Sequence, residues 1–282
     1  NCRIVMGAAT YNEDKIDEAL AKLNDRGDTA DFALNSLLRM LYLDRRAGGA
    51  LPEALRTRIE DAVLGFKYWI NEPGDDTMCY WTENHQILYH TGELLAGQLF
   101  PERVFLNNGM TGAEHAIHAR PYLDRWLHLR GHLGFSEWHS NVYFNEDMPP
   151  LISLVDFAED PALQRKAAMV LDVLALDLLN NMYKGLFATT HGRTYDSKLV
   201  KASGLQDSTR SAAWVMLGLG ENESWGDFTG SFLATSENYH PPAILEDLAG
   251  ATAARHLHRQ RDSINVTEGP EWGVGYEDYD DI

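Results

Sequence analysis

Met78-Cys79-Tyr80-Trp81-Thr82-Glu83-Asn84-His85-Gln86 is the stretch that decides the fold, because it places aromatic, acidic, amide and imidazole side chains at the start of a helix. Thr82 is a good N-cap residue. An apolar stripe follows it at helical spacing: Ile87, Leu88, Thr91, Leu94, Leu95 and Leu99. Asn84 continues this stripe upstream, so we expect its amide on the inward face of the helix. A buried amide must find a hydrogen-bond partner or bind a ligand.

Length and charge narrow the classes of protein to which the chain can belong. Its 282 residues, 44% of them hydrophobic, can bury a large core, and we expect one domain over residues 1–282. The 42 acidic and 24 basic residues give a formal charge of -18. Nucleic acids and anionic membrane surfaces both require a basic protein face. Neither is therefore predicted as a partner, and no apolar run is long enough for a membrane span.

The cysteines and the ends of the chain say less about the class of protein. Cys2 and Cys79 are far apart, without the spacing of a disulfide framework or a zinc knuckle. The chain begins with Asn1 rather than Met and ends on an acidic segment. We therefore expect a partial chain of a larger protein, without any signal peptide.

Helical periodicity recurs along the chain with almost no pattern typical of strands, so the sequence predicts an all-α fold. The segment from Ala167 to Leu179 is apolar nearly all round, which favours an inner helix covered on every side. Pro121 should kink a helix, and Pro149-Pro150 should open one. Successive pairs of helices form an array of hairpins in two layers, with a superhelical solenoid as the rival architecture. The expected helices cover residues 12–24, 28–47, 52–70, 82–99, 111–133, 149–158, 160–179, 206–217, 227–234 and 242–254.

Three polar stretches, Trp81 to Gln86, Glu137 to Tyr143 and His191 to Tyr195, lie at helix starts or in loops. Loops carry functional residues disproportionately, and in a ring of hairpins the loops on one rim converge. If the three stretches meet, they form one site from the following residues: Glu83, Asn84, His85, Glu137, Trp138, His139, Asn141, Tyr143, His191, Arg193 and Tyr195.

These motifs carry a resemblance to a known class of enzymes. Residues 80–86 (Tyr-Trp-Thr-Glu-Asn-His-Gln), Trp-His-Ser-Asn-x-Tyr at 138–143 and His-Gly-Arg-x-Tyr at 191–195 resemble α/α-toroid carbohydrate-active enzymes. The likeness is to polysaccharide lyases of the chondroitin, alginate and heparinase type, and in sequence it covers only these motifs. It implies an α/α toroid, here an incomplete ring of about five hairpin pairs where six are common. It also implies a polysaccharide or oligosaccharide substrate, no cofactor, and a secreted or periplasmic location.

The resemblance implies uronate cleavage by β-elimination, which needs a group that stabilises the uronate carboxyl, a base and a general acid. Asn84 and His85 suit the first role. His139 or Tyr143 suits the base, and Tyr143 can also protonate the leaving oxygen. Arg193 suits binding of the substrate carboxylate. The remaining substrate-binding candidates are Trp81, Trp138, Asn141, His191 and Tyr195.

Each of these residues also has a purely structural interpretation. Asn84 can cap or cross-link buried backbone, His85 can be a satisfied core histidine, and the tryptophans can be core aromatics. Arg193 can be the ion-pair partner of Asp196 or Glu137.

Two other functions compete with the lyase. A glycoside hydrolase on the same toroid needs two carboxyl groups across the scissile bond, and Glu83, Glu137, Glu146 and Asp147 could supply them. The acidic net charge favours this alternative, whereas a basic run from Arg193 to Arg210 favours a polyanionic substrate. A non-catalytic helical scaffold that binds glycan or protein predicts that the polar stretches do not converge.

No metal centre is predicted. His115 and His118 are three residues apart and His128 and His132 four apart, so each pair can share a helix face. Neither pair has the glutamate of an H-E-x-x-H motif, and no carboxylate or third histidine stands at a telling spacing.

Overall fold

The computed structural model describes residues 1–183, 185–199, 207–220, 228–250, 257–273 and 275. Within them the chain is mostly helical, which confirms the all-α prediction. One short antiparallel hairpin pairs β1 (Met182–Tyr183) with β2 (Leu186–Phe187). A 3-10 helix covers Val266–Trp272. The α-helices are α1 (Cys2–Val5), α2 (Glu13–Asp25), α3 (Ala30–Arg46), α4 (Glu53–Leu64), α5 (Glu83–Leu99), α6 (Gly112–Leu133), α7 (Phe144–Phe157), α8 (Pro161–Asn180), α9 (Asp196–Leu199), α10 (Arg210–Leu217), α11 (Phe228–Leu233) and α12 (Ala243–Ala249).

Helices α5 and α7 form the inner layer. Every residue of α5 is buried except Gln86 and Gln98, and every residue of α7 is buried except Glu146. Helix α3 is buried nearly as well, and α3, α5 and α7 contact one another. Helices α2, α4, α6 and α8 bury only one stripe each, as outer helices of a two-layer arrangement do.

The α5–α6 hairpin is closed by two glycines. A Cβ atom on Gly97 would lie 2.3 Å from the carbonyl oxygen of Gly112, and one on Gly112 would lie 2.2 Å from that of Phe100. Larger residues at either position would push the helices apart. A capping box at Thr111 then begins α6, which runs on through Pro121.

Helix α3 carries polar residues on its inward face at positions i, i+4 and i+8. Asp31 contacts His85, Asn35 donates to the Leu88 carbonyl (2.9 Å), and Arg39 forms a fully buried ion pair with Asp156 (2.7 Å). These contacts tie α3 to α5 and α7. Buried polar groups left without such partners would cost about 1–3 kcal/mol each.

Two sequence-based expectations about helices are wrong. Helix α7 begins at Phe144, so Pro149 and Pro150 lie inside it rather than at its start. Pro149 lacks the N–H that would bond the Asn145 carbonyl, and the Thr229 hydroxyl donates to that oxygen instead. Helix α8 is not covered on every side, because it is an outer helix and Met169 is exposed.

The remaining predicted helices lie close to observed ones, although the positions 206, 227 and 254 at their ends are outside the described residues. The helix expected over 52–70 ends earlier, at Leu64. Among the described residues, no helix combines the length and apolar character needed to cross a bilayer.

Candidate active site

The first and second polar stretches are joined by a reciprocal exchange of carboxylates. The backbone N–H of Asn84, in the first turn of α5, donates to Glu137 Oε2 (3.1 Å). In return, Glu83 accepts from the backbone N–H groups of Ser136 (2.6 Å) and Glu137 (3.2 Å) and from the Ser136 hydroxyl (2.8 Å). Glu137 thus caps the N-terminus of α5, where the helix dipole favours a carboxylate.

A group of charged side chains, with its carboxylates buried, surrounds this exchange. Arg130 forms an ion pair with Glu83, and Arg193 forms one with Glu137. Asp147 from α7 completes a set of three carboxylates whose oxygen atoms lie within 4.8 Å of one another. Asp147 is 0% exposed, and neither of its oxygens has a hydrogen-bond partner among the described residues.

The electrostatics of this group favour one protonated carboxyl. Burial raises the pKa of Asp147 well above its ordinary value, and the negative charge of Glu137 adds to that shift. Burial also lowers the pKa of Arg130 to about 10, which still leaves its guanidinium charged at neutral pH. Three ionised carboxylates against two guanidinium groups would leave one uncompensated negative charge. A proton on Asp147 removes that charge.

The third polar stretch runs alongside the second. The Gly192 N–H donates to the Trp138 carbonyl (2.8 Å), the Ser140 hydroxyl donates to the Arg193 carbonyl (2.7 Å), and the Thr194 hydroxyl donates to Asn141 Oδ1 (2.6 Å). Asn141 is buried, so its side chain holds the loops together instead of facing a substrate. All three polar stretches therefore converge.

Two tyrosines and an arginine lie where these loops meet. The hydroxyl groups of Tyr143 and Tyr195 are hydrogen-bonded to each other, and the Arg193 guanidinium carbon lies 3.8 Å from the centre of the Tyr143 ring. Burial, followed by the hydrogen bond to Tyr195, raises the pKa of Tyr143. The Tyr143 hydroxyl therefore stays protonated at neutral pH and can donate a proton.

The two loop histidines have different environments. His191 Nδ1 is 2.6 Å from the His139 carbonyl oxygen. A carbonyl only accepts hydrogen bonds, so Nδ1 carries the proton and the neutral ring keeps its lone pair on Nε2. The buried His139 ring stacks on Trp138 and lies 3.4 Å from Asn181 and Gln260, and burial lowers its pKa. Its backbone adopts a positive φ of 44°. This geometry does not place the His139 ring against Tyr143.

His85 and Asn84 face inward. His85 Nδ1 is 2.6 Å from Asp31 Oδ2, and the ring stacks on Phe32. The Asn84 amide is fully buried and accepts the Thr82 hydroxyl (2.8 Å). Thr82 occupies the N-cap position without a side-chain capping bond, and its hydroxyl donates to Asn84 Oδ1. Both residues therefore position the site from beneath it.

The two tryptophans of the motifs reach the surface. Trp81 is 59% exposed and Trp138 is 37% exposed, which leaves ring faces available to a ligand. Trp81 and Glu83 also line a cavity of about 250 Å³. The predicted site residues are thus divided between an exposed set at the rim and a buried set that supports it.

The sequence interpretation missed Asp31 and Arg130 as members of this site and considered Asp147 only for a hydrolase. A signal for Asp31 was present, because Asp31, Asn35 and Arg39 recur at helical spacing within an apolar helix. The ion pairing of Arg130 has no comparable local signal, since its partner Glu83 is far away in sequence.

Within the described part of the chain, two groups of side chains have the donor atoms to hold a metal ion. Glu83, Glu137 and Asp147 form one, although Arg130 and Arg193 already compensate two of its charges. Glu72, Glu93 and His115 form the other. The sequence spacing indicated no carboxylate or third histidine beside the His115–His118 pair, but the fold brings both Glu93 and His90 to it. Glu93 Oε1 lies 2.8 Å from His115 Nδ1 and 2.9 Å from His118 Nδ1, and Glu93 Oε2 lies 3.6 Å from His90 Nδ1.

Comparisons of the chain with protein-family models, with curated proteins and with solved structures found no match. Its function must therefore be inferred from the chemistry of the site. The contacts among Tyr143, Tyr195 and Arg193, in loops that also hold His191, are the part of that chemistry which is both reactive and close to the surface.

Proposed function

We propose that the protein is a polysaccharide lyase that cleaves a uronate-containing glycan by β-elimination. The observation that carries the proposal is the hydrogen-bonded Tyr143–Tyr195 pair beside the Arg193 guanidinium, in loops that also hold His191. This cluster supplies a proton donor, a cation for the substrate carboxylate, and a base. These are the three groups that the reaction needs.

In the proposed reaction, His191 Nε2 removes the proton from the carbon next to the uronate carboxyl. The electron pair left behind forms a carbon–carbon double bond as the bond to the glycosidic oxygen breaks. Tyr143 donates its proton to that leaving oxygen, so no water is consumed. Arg193 stabilises the negative charge that develops on the carboxyl group during proton removal.

Glu137 and the two buried residues of the first motif position these groups. Glu137 holds the Arg193 guanidinium in place, and the Asn84 N–H fixes Glu137 in turn. His85 and Asn84 would then act on the substrate only through their neighbours. This differs from the direct stabilisation of the uronate carboxyl that the resemblance implies for them.

We also propose that the hairpins belong to an α/α toroid. The contacts that link α3, α5 and α7 in succession, with outer helices packed behind them, are those expected of neighbouring inner helices in such a ring. The polar stretches lie at one end of these helices, where a toroid presents its cleft.

Incubation with uronate polysaccharides tests the proposal, because only elimination creates the absorbance of an unsaturated uronide. Tyr143→Phe keeps the ring beneath Arg193 but removes the proton donor, and it should lower kcat by about 100-fold or more. Tyr11→Phe is the matched control, since it also removes one hydroxyl hydrogen bond, to the Ala50 carbonyl. A Tyr143→Phe variant with normal activity would remove Tyr143 from the mechanism.

One observation favours a glycoside hydrolase as the second candidate: the Asp147 carboxyl, whose pKa is raised by burial, lies close to Glu137. A hydrolase would need such a pair to flank the scissile bond. The burial of Asp147 argues against this, because a fully buried carboxyl cannot touch a glycan. Release of reducing ends from neutral glycans, abolished in Glu137→Gln, would establish the hydrolase instead of the lyase.

A further inference from the structure

Two pairs of potential metal ligands face each other across the α5–α6 hairpin. His90 and Glu93 are one turn apart on α5, and His115 and His118 are one turn apart on α6. These four residues are here called the histidine cluster. Glu93 is their common partner, because its Oε1 atom lies 2.8 Å from His115 Nδ1 and 2.9 Å from His118 Nδ1. Glu72 adds a second carboxylate, and ligand atoms of Glu72, Glu93 and His115 all lie within 4.8 Å of one another.

The contacts of His115 show which of its ring nitrogens carries a proton. Asn108 Oδ1 accepts the backbone N–H of Met110 (3.0 Å), which identifies this atom as the amide oxygen. His115 Nε2 lies 3.2 Å from the same oxygen and must donate to it, because an amide oxygen only accepts hydrogen bonds. Metal-bound histidines usually make such a bond from their second ring nitrogen. The neutral ring therefore keeps its lone pair on Nδ1, which faces Glu93.

A lone pair and a carboxylate that face each other at 2.8 Å need a positive charge between them. In the metal-free protein, a second proton on His115 supplies this charge, and Nδ1 then donates to Glu93. A divalent cation would supply it without protonating the buried imidazole. Two ligand atoms that each lie about 2.0–2.2 Å from one Zn²⁺ ion are about 3 Å from each other. The separations of Glu93 from His115 and His118 match that value.

A third imidazole nitrogen faces the same carboxylate without a hydrogen-bond partner. His90 is 2% exposed, and its Nδ1 atom lies 3.6 Å from Glu93 Oε2, which is too far for a hydrogen bond. Nδ1 forms no hydrogen bond with any described residue. A buried polar atom of this kind indicates an unfilled bonding position. The side chain of His118 is 27% exposed, so an ion can reach the cluster from the surface.

We propose that the histidine cluster and Glu72 form a binding site for a divalent transition-metal ion such as Zn²⁺. Glu72, Glu93 and His115 Nδ1 are its ligands. The nearest further nitrogen donors are those of His118 and His90. Imidazole suits Zn²⁺, whereas Ca²⁺ and Mg²⁺ prefer oxygen ligands alone. The site lies outside the proposed active site, and its existence does not depend on the lyase function.

Calorimetric titration of the full chain with Zn²⁺, after removal of metals by a chelator, tests the site. The parent should bind one Zn²⁺ ion with a Kd of about 1 µM or lower, and Ca²⁺ at least about 100-fold more weakly. His115→Gln should weaken Zn²⁺ binding about 100-fold or more, because it removes a ligand. The double variant His128→Gln and His132→Gln is the control. It removes two exposed imidazoles of α6 outside the cluster and should retain the tight binding.

Asn108→Ala provides a second variant, which leaves every proposed ligand in place and decides the matter if His115→Gln does not fold. It removes the acceptor of His115 Nε2 and should weaken Zn²⁺ binding about tenfold. Asn24→Ala, at an exposed asparagine of α2, is its matched control and should leave the affinity unchanged.

Three results would overturn the metal site. They are no Zn²⁺ binding by the parent, tight binding that is lost only in the His128 and His132 double variant, and unchanged affinity in both His115→Gln and Asn108→Ala. A proton on His115 would then be the only positive charge beside Glu93. Ca²⁺ binding as tight as that of Zn²⁺ would overturn the proposed ligands, because it would indicate a site made of oxygen atoms alone.

Discussion

Helix α5 passes two buried charged clusters with opposite composition. The acidic cluster, at the N-terminus of α5, has more carboxylates than cations: Glu83, Glu137 and Asp147 with Arg130 and Arg193. The histidine cluster, about 15 Å further along the helix, has three imidazoles around one carboxylate: Glu93 with His90, His115 and His118. The Glu72 carboxylate lies close to Glu93 and His115. The carboxylates of both clusters are buried, so the difference between them lies in which charges the neighbouring side chains supply.

That difference reverses the effect of burial on the carboxyl groups. Burial acts to raise the pKa of Glu93, but hydrogen bonds from His115, His118 and His90 outweigh it and hold the pKa well below 4.5. Burial also raises the pKa of Asp147, and the nearby Glu137 charge increases the shift. In the histidine cluster, the buried carboxylate therefore stabilises the folded protein. The acidic cluster instead lowers the stability of the folded protein and lies next to reactive groups. Such perturbed carboxyl groups are common at functional sites.

The largest expected loss of stability comes from a change in the histidine cluster. Glu93→Gln removes the charge that three imidazoles share, and it should lower the free energy of unfolding at pH 7 by about 3 kcal/mol. Denaturant unfolding measures this loss, with Glu102→Gln at an exposed glutamate as the control, expected within about 0.5 kcal/mol of the parent. A loss below about 1 kcal/mol for Glu93→Gln would mean that the histidine cluster contributes little.

The pH dependence of that loss has a definite sign. The folded pKa of Glu93 lies below its unfolded value of 4.5, so its contribution is fully present above pH 4.5. It is lost as the pH falls from 4.5 through the lower folded pKa. The difference in the free energy of unfolding between the parent and Glu93→Gln should therefore become smaller as the pH falls below 4.5. A difference that grows below pH 4.5 would contradict the assignment.

Asp147→Asn should have the opposite sign, because it should stabilise the folded protein at neutral and alkaline pH. The folded pKa of Asp147 is raised, so the folded protein keeps a proton that the unfolded chain releases above 3.8. Between 3.8 and the folded pKa, the parent loses about 1.4 kcal/mol of stability per pH unit through this group. Asparagine has no such cost, so the variant should match the parent near pH 4 and be the more stable protein at pH 8.

Denaturant unfolding at pH 4 and pH 8 measures this difference in stability between the parent and Asp147→Asn. Asp61→Asn, at an exposed aspartate, is the control. Destabilisation by Asp147→Asn at pH 8 would mean that the carboxylate is ionised and paired with a bound cation. The contrast between the two clusters would then disappear.

Ser136→Ala should have the smallest effect. It removes one hydroxyl hydrogen bond to Glu83, which keeps its bonds from the Ser136 and Glu137 backbone and its ion pair with Arg130. The expected loss is about 1 kcal/mol or less, measured by the same unfolding experiment. A loss as large as that of Glu93→Gln would make Ser136 a principal support of the acidic cluster.

The sequence predicted elements with local signals well. The apolar stripe after Thr82 gave α5 its correct position. The helix expected from residue 160 begins there, and Asp160 caps it by accepting the Ala162 N–H (2.8 Å). Hydrophobic periodicity and capping are properties of neighbouring residues. They can be read before the tertiary structure is known.

The partners of buried side chains could not be predicted in the same way. Glu83 bonds Ser136, and His85 bonds Asp31, across more than 50 residues. Such pairs depend on how helices pack. The same limit explains why α8 looked like an inner helix, because an outer helix that carries Met169 on its exposed face can be as apolar as an inner one.

The most direct test of the central claim is cleavage of a uronate polysaccharide in isotopically labelled water, with mass spectrometry of the products. Elimination of the glycan by Tyr143 and His191 adds no water to the products. The expected products therefore contain an unsaturated end and no labelled oxygen. Products that carry one labelled oxygen at each new reducing end, with no unsaturated uronide, would identify a hydrolase and contradict the proposed lyase.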